Sequence, residues 1–273
     1  GKISPLDTIA TVRALRHVHR MVAPAIAHHV ALQAAVLGSL AALGRSVSCV
    51  NALTGLGYTF ASDSAKALIL RPIFRTLFRL LLNRPRQIVL VQNPDDRDGM
   101  ISLGIAAERI VLIPGSGVDI ETFQPLPEMQ GPPTIAFVGR LLGDKGVGIL
   151  VRAHRLLRQR GSNVELLLAG TPDPANPASV SEQDAANWNR EPGISWLGHV
   201  DDISALWARA HIAVLPSRRE GLPKSLLEAA ACGRPMIATD VPGCREVVVP
   251  GETGLLVPLA DAPALADALE TLV

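Results

Sequence analysis

Two glutamates, Glu220 and Glu228, are separated by seven residues inside HIAVLPSRREGLPKSLLEAAACGRPMIATD, residues 211–240. The stretch reads as a buried strand from Ile212 to Leu215, a polar loop, a helix from about Pro223 to Cys232, and a second strand. Pro223 suits the first turn of a helix, where its missing N–H costs nothing, and Gly233 suits the residue just past the end. The amides of Gly221, Leu222, Lys224 and Ser225 fall where a helix start leaves N–H groups unpaired, which makes a seat for an anion. An acid, an anion seat and a second acid on a helix form a cradle for a sugar nucleotide. The competing reading is an exposed strand-to-helix loop with solvated glutamates. Arg140 and Lys145 follow a strand at 134–138 in VGRLLGDKG. Strand ends are where open α/β sheets bind ligands, and two cations there can neutralise a departing diphosphate. On local sequence alone two surface cations beside a turn fit as well. The glycine–lysine–hydroxyl order of a P-loop is absent.

The elements that must position these groups alternate strand and helix. Apolar residues at helical spacing (Leu6, Ile9, Val12, Leu15, Val18) mark a helix over 5–20. A short strand near Ala25 to Ala27 precedes His28 and His29, and a helix from Leu32 to Leu43 follows. Strands are expected at 47–50, 87–91 and 110–113, helices at 64–83 and 95–103, and a loop with Gly55 and Gly57 at 51–63. The stretch QPLPEMQGPP carries four prolines and a glycine, the composition of a linker. A fresh series then begins: strands at 134–138, 164–169, 194–197, 211–215, 235–239 and 255–257, with helices at 146–160, 181–190, 202–209 and from 262. This alternation predicts an α/β fold of parallel sheets covered on both faces. The expected division is a domain at 1–124, a linker at 125–133 and a second domain at 134–273.

Composition narrows the function. A net charge of +1 gives no general drive toward nucleic acid, and 3% aromatic residues leave few stacking platforms, so no nucleic-acid partner is expected. Cys49, Cys232 and Cys244 are odd in number and lack metal-type spacing, which fits a reduced cytoplasmic setting. The most apolar window, Ala23 to Leu43, is broken by His28, His29, Gln33 and Ser39, so no membrane span is expected, and no signal peptide is evident. Residues 71–86 hold five arginines and no acid, with Arg71, Arg75 and Arg79 on one stripe and Ile73, Phe74, Leu77, Phe78 and Leu81 on the apolar side. Such a helix either lies on an anionic membrane surface or covers a sheet with its basic face solvated.

The glutamate pair within PSRREGLPKSLLEAAACGRP resembles the signature of retaining nucleotide-sugar glycosyltransferases of family 4, which have the GT-B architecture of two Rossmann-like domains. FVGRLLGDKG (137–146), LGHVDD (197–202) and TDVPGCREVVVPGETGLLV (239–257) carry the likeness through the C-terminal half. HHVALQAAVLGSLAA (28–42), NALTGLGYTF (51–60) and VQNPDDRD (91–98) are similar to a branch that adds sugars to polyprenyl-diphosphate-linked saccharides in polysaccharide assembly. Gln33 and Ala25 depart from that branch, which often has a lysine and an acid there. Relative to the family, an opening strand with its glycine-rich loop and a closing helical region are expected to lie outside this chain, leaving the N-terminal domain truncated.

The resemblance implies a donor site and roles within it. Gly139, Arg140 and Lys145 would hold the diphosphate, Glu228 the ribose hydroxyls and Glu220 the donor sugar. His199 and Val200 would meet the base, and Gly221, Leu222, Pro223, Lys224 and Ser225 would complete the pocket. Glu220, Arg140, Lys145 and His28, preferred over His29, are the candidate catalytic groups. The donor expected is a UDP-sugar, with no resident cofactor and no metal. Asp95–Asp96 and Asp201–Asp202 are adjacent pairs and not an aspartate-x-aspartate motif. The site of action would be the cytoplasm, peripheral on the inner face of the plasma membrane. A GT-B nucleotide-sugar epimerase, or a nucleotide-sugar-binding remnant without turnover, are the alternatives.

Overall fold

The computed structural model describes residues 5–53, 65–125 and 127–273. Contacts divide the chain into two compact units, 1–115 and 116–273. The fold is α/β, with one parallel sheet in each unit.

The first unit runs α1 (Pro5–Val22), β1 (Ile26–Val30), α2 (Leu32–Ala41), β2 (Ser48–Leu53), α3 (Ala65–Leu82), β3 (Gln87–Val91), α4 (Pro94–Ser102) and β4 (Ile110–Leu112). Its strands pair in the order β1-β2-β3-β4. Ala35, Leu53, Phe78, Leu82, Val89, Val91 and Met100 form the core. Phe78 is almost fully buried, so truncating it to Ala costs about 3–5 kcal/mol. Asn93 starts α4 by accepting from the Asp96 amide at 2.8 Å, with Pro94 at the first helical position.

Two sequence expectations change here. His28 and His29 lie within β1 rather than after it, because parallel pairing sets His28 opposite Val50 and His29 opposite Asn51. Asn51 to Leu53, expected to open a loop, continue β2, and Gly55 and Gly57 lie outside the described residues. Asn51 is fully buried and anchors a polar network. Its Nδ2 donates to Gln87 Oε1 (2.9 Å) and to the Ile88 carbonyl (3.3 Å), which turns Oδ1 toward His29. His29 Nδ1 therefore carries the proton and donates to it at 2.9 Å. Gly38 of α2 leaves room for that imidazole, since a Cβ there would come within 2.2 Å of Nε2.

The second unit runs β5 (Thr134–Val138), α5 (Val147–Gln159), β6 (Glu165–Ala169), α6 (Glu182–Trp188), β7 (Ile194–Gly198), α7 (Ile203–Arg209), β8 (Ile212–Leu215), α8 (Lys224–Ala231), β9 (Met236–Thr239), α9 (Pro242–Arg245), β10 (Gly254–Val257) and α10 (Ala262–Leu272). The short helix α9 is not evident in the apolar pattern. The strands pair in parallel in the order β10-β9-β8-β5-β6-β7. TIAFV, IAVL and MIAT are near-continuous apolar runs because helices cover both faces of the sheet. Part of the proline-rich stretch packs onto this unit. Arg234 donates from Nε to the Trp207 carbonyl (2.9 Å) and from Nη2 to that of Pro127 (3.0 Å). His211 Nδ1 accepts from the Thr134 amide (3.0 Å), so its Nε2 donates to the Met129 carbonyl (2.8 Å).

Candidate functional site: a strand-end cleft in the second unit

Chain order along the second sheet reverses between β5 and β8. In one direction from β5 the strands run to β6 and β7, in the other to β8, β9 and β10. Connections leave to opposite sides at such a point and open a crevice at the carboxyl ends of the two strands. The loops that follow β5 and β8 carry the two cations and the first glutamate. A cleft of about 540 Å³ lies there, lined by Gly139, Arg140, Lys145, His199, Val200, Glu220, Leu222, Pro223, Lys224, Ser225 and Glu228, together with Gly170, Thr171 and Ile203.

The turn holding Lys145 is clamped to the loop holding Glu220. The Asp144 carbonyl accepts from the Arg218 amide (2.8 Å) and from Ser217 Oγ (3.1 Å), and the Asp144 carboxylate binds Arg219 Nη2 at 3.0 Å. Lys145 Nζ donates to both carboxylate oxygens of Glu220, at 2.6 and 2.9 Å. The Glu220 side chain is 10% exposed, so this ion pair is shielded from water far better than an ordinary surface pair. Arg140 Nη1 is bound by Asp173 Oδ2 at 2.7 Å, but its side chain is 60% exposed.

Helix α8 begins after Pro223, whose carbonyl accepts from the Leu226 and Leu227 amides. The first-turn amides of Lys224 and Ser225 have no intrahelical acceptor, and both residues line the cleft. Glu228 lies one turn further along and is buried, with Lys224 Nζ 3.3 Å from its carboxylate. Burial lifts its carboxyl above the ordinary value of 4.5, and Lys224 opposes that shift. Val200 packs on the hydrophobic core, while His199 is exposed beside Asp201 at 3.2 Å.

Two predicted residues stand elsewhere. Gly221 is buried beside the cleft rather than lining it, and a Cβ on Gly243 of α9 would come within 2.5 Å of its carbonyl oxygen. His28 is an exposed residue of β1 in the first unit. Sequence reasoning missed Asp144, Asp173, Ser217 and the supporting helix α9. Asp144 had a signal, since it adjoins Lys145 in GDKG, and Asp173 follows a strand end. Cys244 of α9 is buried, and desolvation, reinforced by the Glu220 carboxylate, pushes its thiol up to about 12. Among the described residues no group of three His, Cys, Asp or Glu side chains is placed to hold a metal ion, and no helix is long and apolar enough to cross a membrane.

Parallel α/β units, the second with its crevice at a switch point, are the architecture of the GT-B glycosyltransferases. Sucrose-phosphate synthase of Thermosynechococcus elongatus superposes with a TM-score of 0.77 at 24% identity, covering 99% of this chain and 72% of that one. Anabaena HepE in complex with UDP-glucose superposes with a TM-score of 0.74 at 22% identity, covering 98% and 74%. Residues 132–273 match the family described as glycosyl transferases group 1, and the chain belongs to that family. A capsular polysaccharide biosynthesis glycosyltransferase, CapM of Staphylococcus aureus, is 34% identical over 139 residues, 51% of this chain and 36% of CapM. The Campylobacter jejuni N,N'-diacetylbacillosaminyl-diphospho-undecaprenol alpha-1,3-N-acetylgalactosaminyltransferase is 26% identical over 231 residues, 80% of this chain and 59% of that enzyme. The chain thus spans between 36 and 59% of the length of these two relatives.

Proposed function

We propose that the protein is a retaining, metal-independent glycosyltransferase of family 4. It moves a sugar from a UDP-sugar to a hydroxyl of a polyprenyl-diphosphate-linked saccharide during assembly of a cell-surface polysaccharide. The observation that carries this reading is the convergence of Arg140, Lys145, Glu220, Glu228 and the first turn of α8 on one strand-end cleft. HepE bound to UDP-glucose and the undecaprenol-dependent relative support the choice of donor and acceptor class.

In this reading the bond between the sugar's anomeric carbon and the β-phosphate oxygen breaks. The acceptor oxygen forms its bond on the same face, and the acceptor proton passes to the departing diphosphate. Arg140, Lys145 and the amides of Lys224 and Ser225 stabilise the negative charge that develops there. Glu228 accepts hydrogen bonds from both ribose hydroxyls, which a carboxylate can do and few neutral side chains can. Glu220 bonds the donor sugar and offsets positive charge at the anomeric carbon. Val200 and His199 meet the base, and His28 faces the acceptor. Membrane contact would be electrostatic, through exposed Arg75 and Arg79 of α3, because Phe78, Leu81 and Leu82 of that helix are taken up by the core. The protein would act in the cytoplasm, peripheral on the inner face of the plasma membrane.

Calorimetric titration with UDP, GDP, ADP and NAD, with Lys145→Ala as control, tests the donor half. Selective UDP binding that weakens in the variant is expected. Equal binding of all four, or no loss in the variant, would overturn it.

A further inference from the structure

A second polar cleft lies in the first unit, at the amino ends of its strands. There Ser48 N–H donates to the Ala25 carbonyl (3.0 Å) and Cys49 N–H to that of Arg86 (2.8 Å), which sets the segments entering β1, β2 and β3 side by side. The cleft measures about 280 Å³ and is lined by His19 from the last turn of α1, Pro24, Arg45 and Ser46. Two turns at this end hold non-glycine residues in the left-handed region, Ala23 (φ 44°) and Arg86 (φ 64°).

Two of its polar atoms lack partners among the described residues. His19 is only 9% exposed, yet its Nδ1 has no hydrogen-bond partner among them. Arg45 Nε is likewise buried and unpartnered among them, and so, outside the cleft lining, is Nη1 of Arg84, which precedes β3. Neither arginine forms an ion pair with a described residue. A buried donor with no acceptor costs stability, and a guanidinium cannot escape that cost by losing its proton. A guanidinium nitrogen and an imidazole nitrogen left unpartnered in one cleft suit an acceptor-only group, and an oxyanion is the chemistry that fits.

We propose that this cleft is a binding site for a phosphate group, held by Arg45 and His19. It stands at the end of the sheet opposite the carboxyl ends of the strands, and it does not depend on how the second unit is read. Burial first, and then His29 and Arg45, hold the His19 imidazole below the ordinary value of 6.5. A bound phosphate would reverse that shift. The phosphate can come from a soluble phosphate or from the headgroup of an anionic lipid.

The test uses the full chain carrying Lys145→Ala, so that the cleft of the second unit does not compete. Inorganic phosphate is titrated while the ring resonances of His19 are followed by NMR. A saturable shift with a rise in the His19 pKa is expected, weakened about tenfold or more in Arg45→Gln. In parallel, flotation is measured on phosphatidylcholine vesicles with and without phosphatidic acid. Saturation by free phosphate assigns a soluble ligand. Flotation only with phosphatidic acid, lost in Arg45→Gln, assigns a headgroup. No response to either probe, or responses unchanged in Arg45→Gln while circular dichroism shows it folded, would overturn the site.

Discussion

Lys145 Nζ bonds both carboxylate oxygens of Glu220, at 2.6 and 2.9 Å, across the gap between the loops that follow β5 and β8. On the proposed function, an arriving diphosphate must draw that ammonium away from an existing acceptor. The two residues should therefore answer oppositely to substitution. Lys145→Ala removes a charge-assisted contact and should weaken UDP by roughly 10- to 100-fold. Glu220→Gln releases the ammonium, so UDP should bind at least as tightly as to the native chain while sugar transfer falls. Calorimetry paired with a transfer assay in a membrane extract separates these effects. A loss of UDP affinity in Glu220→Gln would show that the carboxylate does not compete with the ligand.

Asp173 offers Arg140 a similar partner, but the exposure of Arg140 makes the pair weak. Exposed ion pairs contribute at most about 1 kcal/mol, so Asp173→Asn should tighten UDP by less than about fivefold. The gain should vanish at high salt, where the native pair is already screened. A large, salt-independent change would mean that Asp173 shapes the loop instead.

Gly243 lies under the loop that carries Glu220 with no room to spare. A Cβ there would approach the carbonyl oxygens of Gly221 and Glu220 to 2.5 and 2.6 Å, and backbone atoms cannot swing aside as side chains do. Gly243→Ala should cost about 1–3 kcal/mol and lower the melting temperature, with UDP binding impaired because the loop leading into the first turn of α8 moves. Unchanged stability together with unchanged UDP affinity would refute this support role.

What was legible in the chain was local. The strand, loop and helix around Glu220 and Glu228 follow from apolar runs, Pro223 and Gly233, and Arg140 and Lys145 follow one strand directly. Contacts between distant segments left no periodic trace. Lys145 and Glu220 are 75 residues apart, Arg140 and Asp173 are 33 apart, and His29 and Asn51 are 22 apart. The histidine pair looked like the end of a strand because polar residues interrupt an apolar run. Yet among the described residues β1 pairs with β2 alone, and an edge strand tolerates polar side chains. Helix α9 spans four residues, too short to show a helical period.

Glu228 gives the second unit a pH signature. Burial raises its folded carboxyl above the ordinary 4.5, so its contribution to stability is full below the unfolded value and is lost as pH rises through the folded one. Glu228→Gln removes that dependence. The variant should match the native chain near pH 4 and exceed it in urea midpoint near pH 7, although it binds UDP more weakly. A variant less stable than the native chain at neutral pH would show that the Lys224 pair outweighs desolvation.

Asn51 ties several buried polar groups of the first unit together. It satisfies Gln87 Oε1, the Ile88 carbonyl and His29 Nδ1 at once, and Ser39 Oγ lies 3.2 Å from its Oδ1. Asn51→Leu strands several of these buried groups, each at about 1–3 kcal/mol, whereas relaxation and entering water recover part of the loss. A net destabilisation of about 2–4 kcal/mol is expected, read as a lower urea midpoint for this unit. The double variant Asn51→Leu/Gln87→Leu removes donor and acceptor together and should recover part of that loss, because apolar groups leave nothing to satisfy. If the double variant is the sum of the two single losses, the network is not coupled and the residues act by volume alone.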